Sequence, residues 1–310
     1  MSVQPLTSVN HFLDLTDVPS EILHGMIQNA HKMKNSKFTP AQIFSGLSLA
    51  MVFDKRSTRT RMSFEVAMKQ LGGHTIPMNM SEIQLTGAEN IEDTAQVLSR
   101  YVDAVMIRMS DHDTLVQLAK HSSIPVINGL TDWSHPCQIM ADIMTIEEKL
   151  GDIKGKTVAW FGDYNNVTRS FGHAAEIFDF DLVLGLPEEL HSKVDISAKL
   201  VTADASAAAR NADVVVTDTW ESMGQEGKSL DMFRPYQVNS ALMANAADHA
   251  IFMHCMPIHR EDEVTNEVLA SKQCVIYDEA ENRLHAQKAI LAWCLANAGV
   301  QIQQKFDFAA

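Results

Sequence analysis

Short apolar runs of strand length alternate with segments of helical periodicity along nearly the whole chain, and that alternation restricts it to parallel-sheet α/β architecture. In the first half, residues 47–53, 75–78, 104–108 and 125–128 read as strands. Residues 19–34, 91–101 and 111–121 read as helices, as does a segment after Arg61 that carries Phe64, Ala67, Met68 and Leu71 at helical spacing until Gly72-Gly73 stops it. Parallel neighbours cannot be joined by tight hairpins, so each helix is expected to serve as a crossover.

The second half repeats the alternation. Residues 157–162, 182–184, 214–217, 250–253 and 274–277 read as strands, with helices at 203–211, after Asn239 and at 283–297. Between the halves, Pro136 opens a helical pattern that runs to Leu150 and ends in Gly151-Asp152-Ile153-Lys154-Gly155. The expected fold is therefore α/β with two domains, residues 1–149 and 150–283, each a parallel sheet flanked by helices. Two interdomain helices join them, and the last, within 284–310, returns to the first domain. At 310 residues the chain is long enough for two such cores.

Composition removes several function classes. Lys and Arg number 25 against 39 Asp and Glu, and the net charge of -14 repels nucleic acid and anionic membrane. No apolar run reaches transmembrane length, and residues 1–10 lack the features of an export signal, so a cytoplasmic protein is expected. Cys137, Cys255, Cys274 and Cys294 are scattered, without the close pairing of a zinc site or the density of a disulfide scaffold. The turn after residues 157–162 offers only Gly162 where a dinucleotide fingerprint needs three glycines.

Against that acidic background, Lys55, Arg56, Arg59 and Arg61 fall within eight residues, at a strand-to-helix turn that also carries Ser57, Thr58 and Thr60. Cations in the first turn of a helix oppose its dipole by a few tenths to about 1 kcal/mol. A bound phosphate reverses that sign, because helix N–H groups, hydroxyls and guanidinium forks then converge on one anion. A solvated basic loop is the alternative.

In open parallel sheets ligands bind beyond the carboxyl ends of the strands, and polar clusters recur there. They are Arg108; Asp132-Trp133-Ser134-His135-Pro136-Cys137-Gln138; Gly162-Asp163-Tyr164-Asn165-Asn166; residues 218–224; His254-Cys255-Met256-Pro257; and residues 278–283. Any one could be a capped helix start. Six together point to a ligand crevice, with cations and hydroxyls in the first half and groups suited to an amino acid in the second.

Ser57-Thr58-Arg59-Thr60-Arg61, His135-Pro136-Cys137-Gln138, Asp218-Thr219-Trp220-Glu221-Ser222-Met223-Gly224, His254-Cys255-Met256-Pro257 and residues 281–287 resemble, in order, the signatures of the ornithine carbamoyltransferases. The resemblance implies carbamoyl phosphate and L-ornithine as substrates, citrulline and phosphate as products, a place in arginine biosynthesis, and neither metal nor cofactor. It assigns carbamoyl phosphate to Ser57, Thr58, Arg59, Thr60, Gln84, Arg108, His135, Gln138, Cys255, Met256 and Arg283. Ornithine is assigned to Asn166, Asp218, Ser222 and Met223, and catalysis to Arg108, His135, Cys255 and Asp218. Gln84 matches a residue lent to a neighbouring subunit, which implies a homotrimer with active sites at subunit interfaces. Met256 departs from the family's usual leucine, and Thr86-Gly87-Ala88 from its usual basic residue with glycine. A carbamoyltransferase for a related amine, such as putrescine or N-acetylornithine, stays open within the same chemistry.

Overall fold

The structure, a computed structural model, describes residues 9–36, 41–55, 57–82, 90–220 and 230–296. The chain divides into two compact units, residues 1–140 with 283–310 and residues 141–282.

The first unit is built on a wholly parallel four-stranded sheet of order β2-β1-β3-β4: β1 Ser48–Phe53, β2 His74–Asn79, β3 Ala104–Arg108 and β4 Val126–Leu130. The central strands are continuously apolar because helices cover both faces of a parallel sheet. In β1 and β3 the residues from Leu49 to Phe53 and from Ala104 to Ile107 are all buried, whereas the edge strand β2 leaves Ile76 exposed. Its helices include α1 Ser20–Asn35, α2 Thr58–Gln70, α3 Ile91–Tyr101 and α4 His112–His121. Asn90 and Asp111 cap α3 and α4 by accepting from the N–H groups of Glu92 and Asp113. After α2 the Gly73 N–H returns to the Met68 carbonyl at 2.8 Å while Gly72 sits at φ +89. A Cβ on Gly73 would lie 2.5 Å from Met68 Cε and 3.2 Å from the Leu47 carbonyl oxygen.

The second unit carries a parallel five-stranded sheet of order β7-β6-β5-β8-β9: β5 Thr157–Phe161, β6 Asp181–Gly185, β7 Leu200–Thr202, β8 Val214–Thr217 and β9 Ile251–His254. Helix α6 Asn166–Phe178 follows β5 and α7 Ala205–Ala209 precedes β8; the short α8 Ser240–Met243 and α9 Asn266–Leu269 lie near β9 in sequence. Phe161, Val215, Tyr236, Phe252 and Val264 centre its core. Helices α5 Pro136–Leu150 and α10 Ile276–Leu295 each contribute residues to both units.

Two elements differ from expectation. Residues 274–277 form no strand beyond a single bridge between Cys274 and Phe252, and α10 begins at Ile276, seven residues before the expected helix start at Arg283. A short apolar run cannot by itself separate a strand from a helix start, and Asp278 and Glu279 in the first turn favour the helix through its dipole. Arg283 is therefore a mid-helix residue. Strand β7 was not anticipated; it is three residues long and only partly buried, so it leaves little apolar signal.

Both strand orders reverse direction at one place. In the first sheet the chain moves from β1 outward to β2 and then back to β3; in the second it moves outward through β6 and β7 before returning to β8. The crevice at such a reversal lies at the carboxyl ends of the two strands that flank it. Those ends are residues 54, 55 and 57–60 with Arg108 in the first unit, and residues 162–166 with Asp218 in the second.

Candidate active site

In the first unit, Ser57 is the N-cap of α2 with extended backbone, yet its side chain makes no capping hydrogen bond, and the first turn holds no acidic residue. The helix therefore presents N–H groups that its own cap does not use. Thr60, in that first turn, is 1% exposed and its Oγ1 accepts from two guanidiniums: Arg108 Nη1 at 3.0 Å and Arg283 Nη2 at 3.3 Å. Arg283 also donates from Nη1 to Gln138 Oε1 at 2.5 Å. The end of β1 is tied to the end of β3 through Asp54, whose N–H donates to the Arg108 carbonyl and whose Oδ2 accepts from the Ser110 N–H at 2.7 Å.

His135 is buried just before α5, where Pro136 occupies the first helical position and the Gln138 N–H reaches the His135 carbonyl. Asn128 and Thr131 hold the loop before it: Asn128 Nδ2 donates to Ser134 Oγ at 3.2 Å, and the Ser134 N–H donates to Thr131 Oγ1 at 3.2 Å. Burial, and then the positive charges of Arg283, Arg108 and Arg59, push the His135 imidazole well below its usual pKa. A neutral imidazole among cations can donate or accept without adding to the local positive charge. Arg61 points elsewhere, pairing with Glu65 one turn along the helix at 2.8 Å.

In the second unit, Gly162 turns the chain at φ +112, and a Cβ there would meet Trp220 Nε1 at 2.7 Å. Asn165 then caps α6, so that Asn166 becomes its first helical residue. Asn165 Nδ2 donates to Asp218 Oδ2 at 2.9 Å, and Cys255 Sγ donates to Asp218 Oδ1 at 3.1 Å. Burial, followed by the carboxylates of Asp218 and Glu279, pushes the Cys255 thiol well above its ordinary pKa. It is held as a donor and not as a thiolate nucleophile. Met256 adopts φ +61, and its N–H donates to His254 Nδ1 at 2.9 Å; His254 Nε2 in turn faces the buried Glu263 Oε1 at 3.2 Å.

The donor atoms of Asp218, His254 and Cys255 lie within 4.8 Å of one another, a cluster that their sequence separation hides. Both His254 ring nitrogens are already engaged, which leaves Asp218 and Cys255, fewer ligands than a zinc site uses.

The expected site residues thus gather in two groups. Thr60, Arg108, Gln138, His135 and Arg283 meet in the first unit, with Ser57, Thr58 and Arg59 at the adjoining helix start; Asp218 and Cys255 meet in the second, with Met256 next in the chain and Asn166 at the start of α6. Gln84, Ser222 and Met223 lie outside the described residues. Sequence reasoning placed Asn165 in a polar cluster without giving it a role, and passed over Glu263 and Asn128 as site-building residues. Asn165 carried a usable signal, since asparagine followed by Thr168 three residues on is a capping pattern; Glu263 carried none.

Two family models match the chain. The carbamoyl-P binding domain of aspartate/ornithine carbamoyltransferase matches residues 10–148, and the Asp/Orn binding domain matches residues 154–294. Among full-length relatives, ornithine carbamoyltransferase of Rhodopseudomonas palustris is 52% identical over 298 residues, covering 92% of this chain and 96% of its own. That of Brucella ovis is 50% identical over 305 residues, covering 94% and 97%. The solved ornithine carbamoyltransferase from Pyrococcus furiosus superimposes with a TM-score of 0.87 at 44% identity, covering 95% of this chain and 99% of its own. With both halves matched by domain models of one family and the full length matched by its members, the chain belongs to the aspartate/ornithine carbamoyltransferases.

Proposed function

We propose that the chain transfers the carbamoyl group of carbamoyl phosphate to the side-chain amine of L-ornithine, giving L-citrulline and phosphate. The observation that carries the reading is the convergence of Arg108 and Arg283 on Thr60 at the start of α2, where the cap leaves helix N–H groups unused. This is an anion site built from two fixed forks and a helix N-terminus, suited to a phosphate ester. The names of the relatives supply the acceptor.

In this reading Ser57, Thr58, Arg59 and Thr60 hold the phosphate. Arg108, His135 and Thr60 face the carbamoyl oxygen, with Gln138 and Arg283 ordering them. Asn166 and Asp218 take the amino-acid end of ornithine, together with Ser222 and Met223. Cys255, kept protonated beside Asp218, helps to aim the side-chain nitrogen.

That nitrogen must lose a proton before it attacks, since an alkylammonium has a pKa of about 10.4 in water. The neutral amine then bonds to the carbamoyl carbon, and the negative charge that builds on the carbonyl oxygen is met by Arg108, neutral His135 and Thr60. The C–O bond to phosphate breaks as the electron pair returns to the leaving group. Phosphate departs into the positive field of Arg59 and the α2 N-terminus and accepts the second proton, which the nitrogen gives up once the C–N bond has formed; the first, lost by the ammonium before attack, goes to solvent. No bond to the enzyme forms.

The finer expectations belong to the same proposal: a homotrimer with Gln84 lent to a neighbouring site, a cytoplasmic location and a role in arginine biosynthesis. Among the described residues no helix is long and apolar enough to cross a membrane. Citrulline formation from carbamoyl phosphate and ornithine, measured colorimetrically, tests the reaction; putrescine and N-acetylornithine run in parallel test the acceptor. Product with one of those and none with ornithine would overturn the assignment. A solution mass of one or two chains would remove the trimer.

A further inference from the structure

Asn165 performs two tasks with one side chain. Its Oδ1 accepts from the N–H groups of Val167 at 3.0 Å and Thr168 at 3.1 Å, and its own N–H donates to Thr168 Oγ1 at 3.2 Å, which completes a reciprocal cap on α6. With the amide oxygen so fixed, the NH₂ end points away from the helix and donates to Asp218 Oδ2 at 2.9 Å.

Capping alone does not select this residue. Serine, threonine and aspartate cap helices about as well as asparagine does. Of these four, only asparagine divides the two tasks between separate atoms, an oxygen that accepts from the helix and an NH₂ that reaches on to a carboxylate, where serine or threonine has one short hydroxyl for both. The partner it meets is the group at the end of β8 to which the amino-acid substrate was assigned, across the strand-order reversal between β5 and β8.

We infer that Asn165 is a positioning residue for the amino-acid substrate, holding the Asp218 carboxylate in one rotamer so that its remaining lone pair, on Oδ2, faces the incoming ammonium. The other oxygen is fixed from the opposite side, where Oδ1 accepts from the Thr219 N–H at 2.8 Å and from Cys255 Sγ at 3.1 Å. A carboxylate has about four lone-pair sites. Three are used here, so the direction left for a substrate is defined by the protein and not by the ligand. The cap thus transmits the rigidity of α6 to a group 53 residues away in the chain. The inference rests on Asp218 holding ornithine, as proposed above.

Two substitutions separate positioning from capping. Asn165→Ser keeps a capping oxygen and removes the Nδ2 that donates to Asp218, leaving only a hydroxyl held at the cap. Asn165→Asp keeps the cap and sets a second carboxylate against Asp218. Citrulline formation is measured on the full-length protein with each substrate varied against saturating amounts of the other, beside thermal unfolding. For Asn165→Ser we expect kcat/KM for ornithine to fall about tenfold, chiefly through KM, the usual scale for losing one hydrogen bond to a charged group. For Asn165→Asp the fall should be about a hundredfold or more. In both, the carbamoyl phosphate KM should stay within about twofold and the Tm within about 3 °C.

Wild-type ornithine kinetics in either variant would overturn the inference, as would an Asn165→Asp enzyme no worse than Asn165→Ser. So would equal losses for both substrates that track a falling Tm, which is what a purely structural cap produces. Wild-type protein that makes no citrulline would overturn the ornithine reading itself and this inference with it; wild-type protein that makes citrulline beside indifferent variants would overturn the inference alone.

Discussion

Arg283 Nη2 donates to Thr60 Oγ1 at 3.3 Å across 223 residues of chain, and Arg108 Nη1 reaches the same oxygen at 3.0 Å. One buried hydroxyl thereby fixes the spacing of two guanidiniums. Thr60→Val, which keeps the shape and removes the oxygen, should raise the KM for carbamoyl phosphate at least tenfold. It should also destabilise the protein by about 1–3 kcal/mol through the stranded donors. Thr60→Ser should stay near wild type in both. Steady-state kinetics and denaturant unfolding check the pair.

His135 is held neutral by burial and by Arg283, Arg108 and Arg59. Its folded-state pKa lies below the value of about 6.5 expected unfolded, so at intermediate pH the unfolded chain binds the extra proton. Its contribution to stability is therefore complete above about pH 6.5 and is lost as pH falls from there towards the folded pKa. His135→Gln should flatten that acid-side loss while leaving the slope above pH 7 unchanged. Unfolding free energies measured between pH 4.5 and pH 8 read the difference, and an unaltered acid limb in the variant would count against a neutral His135.

The Cys255 thiol is pushed up by burial and by Asp218 and Glu279. Little thiolate exists near neutral pH, so iodoacetamide should modify Cys255 at least tenfold more slowly than an ordinary exposed cysteine at pH 8. Asp218→Asn removes one of the carboxylates and should speed that modification. Peptide mass spectrometry over a time course distinguishes Cys255 from the other three cysteines. Fast wild-type labelling would contradict the raised pKa.

Arg59 and Arg61 stand two residues apart and should behave differently. Arg61 spends its guanidinium on Glu65 at an exposed position, an (i, i+4) pair of the kind that contributes about 0.3–0.5 kcal/mol. Arg61→Ala should leave kcat/KM within about twofold. Arg59→Ala should lower it at least a hundredfold by removing charge from the phosphate site. Parallel assays of the two variants at saturating ornithine decide the contrast.

Much of this was legible before any coordinates. The alternation of apolar runs and helical segments specified two parallel α/β halves, because burial on both faces of a parallel sheet demands that pattern. The basic turn at residues 54–61 and the polar residues at strand ends stood out as candidate ligand sites, since local composition at those places departs from what capping alone requires. The reading faltered at residues 274–277, where an apolar run with acids behind it fits a strand end and a helix start equally well, and at β7, too short and too exposed to show.

The sequence by itself determined the fold class, the family and the chemical character of each half, because these depend on residue type and local spacing. Only the tertiary structure decided which side chains touch. It made Thr60 the shared acceptor of Arg108 and Arg283, and joined Asn165 to Asp218 and Asp218 to Cys255. Those pairings join residues as many as 223 positions apart, and what brings them together is the order of strands in each sheet. Strand order follows from the sum of core packing over a whole unit, and no local pattern of residues encodes it.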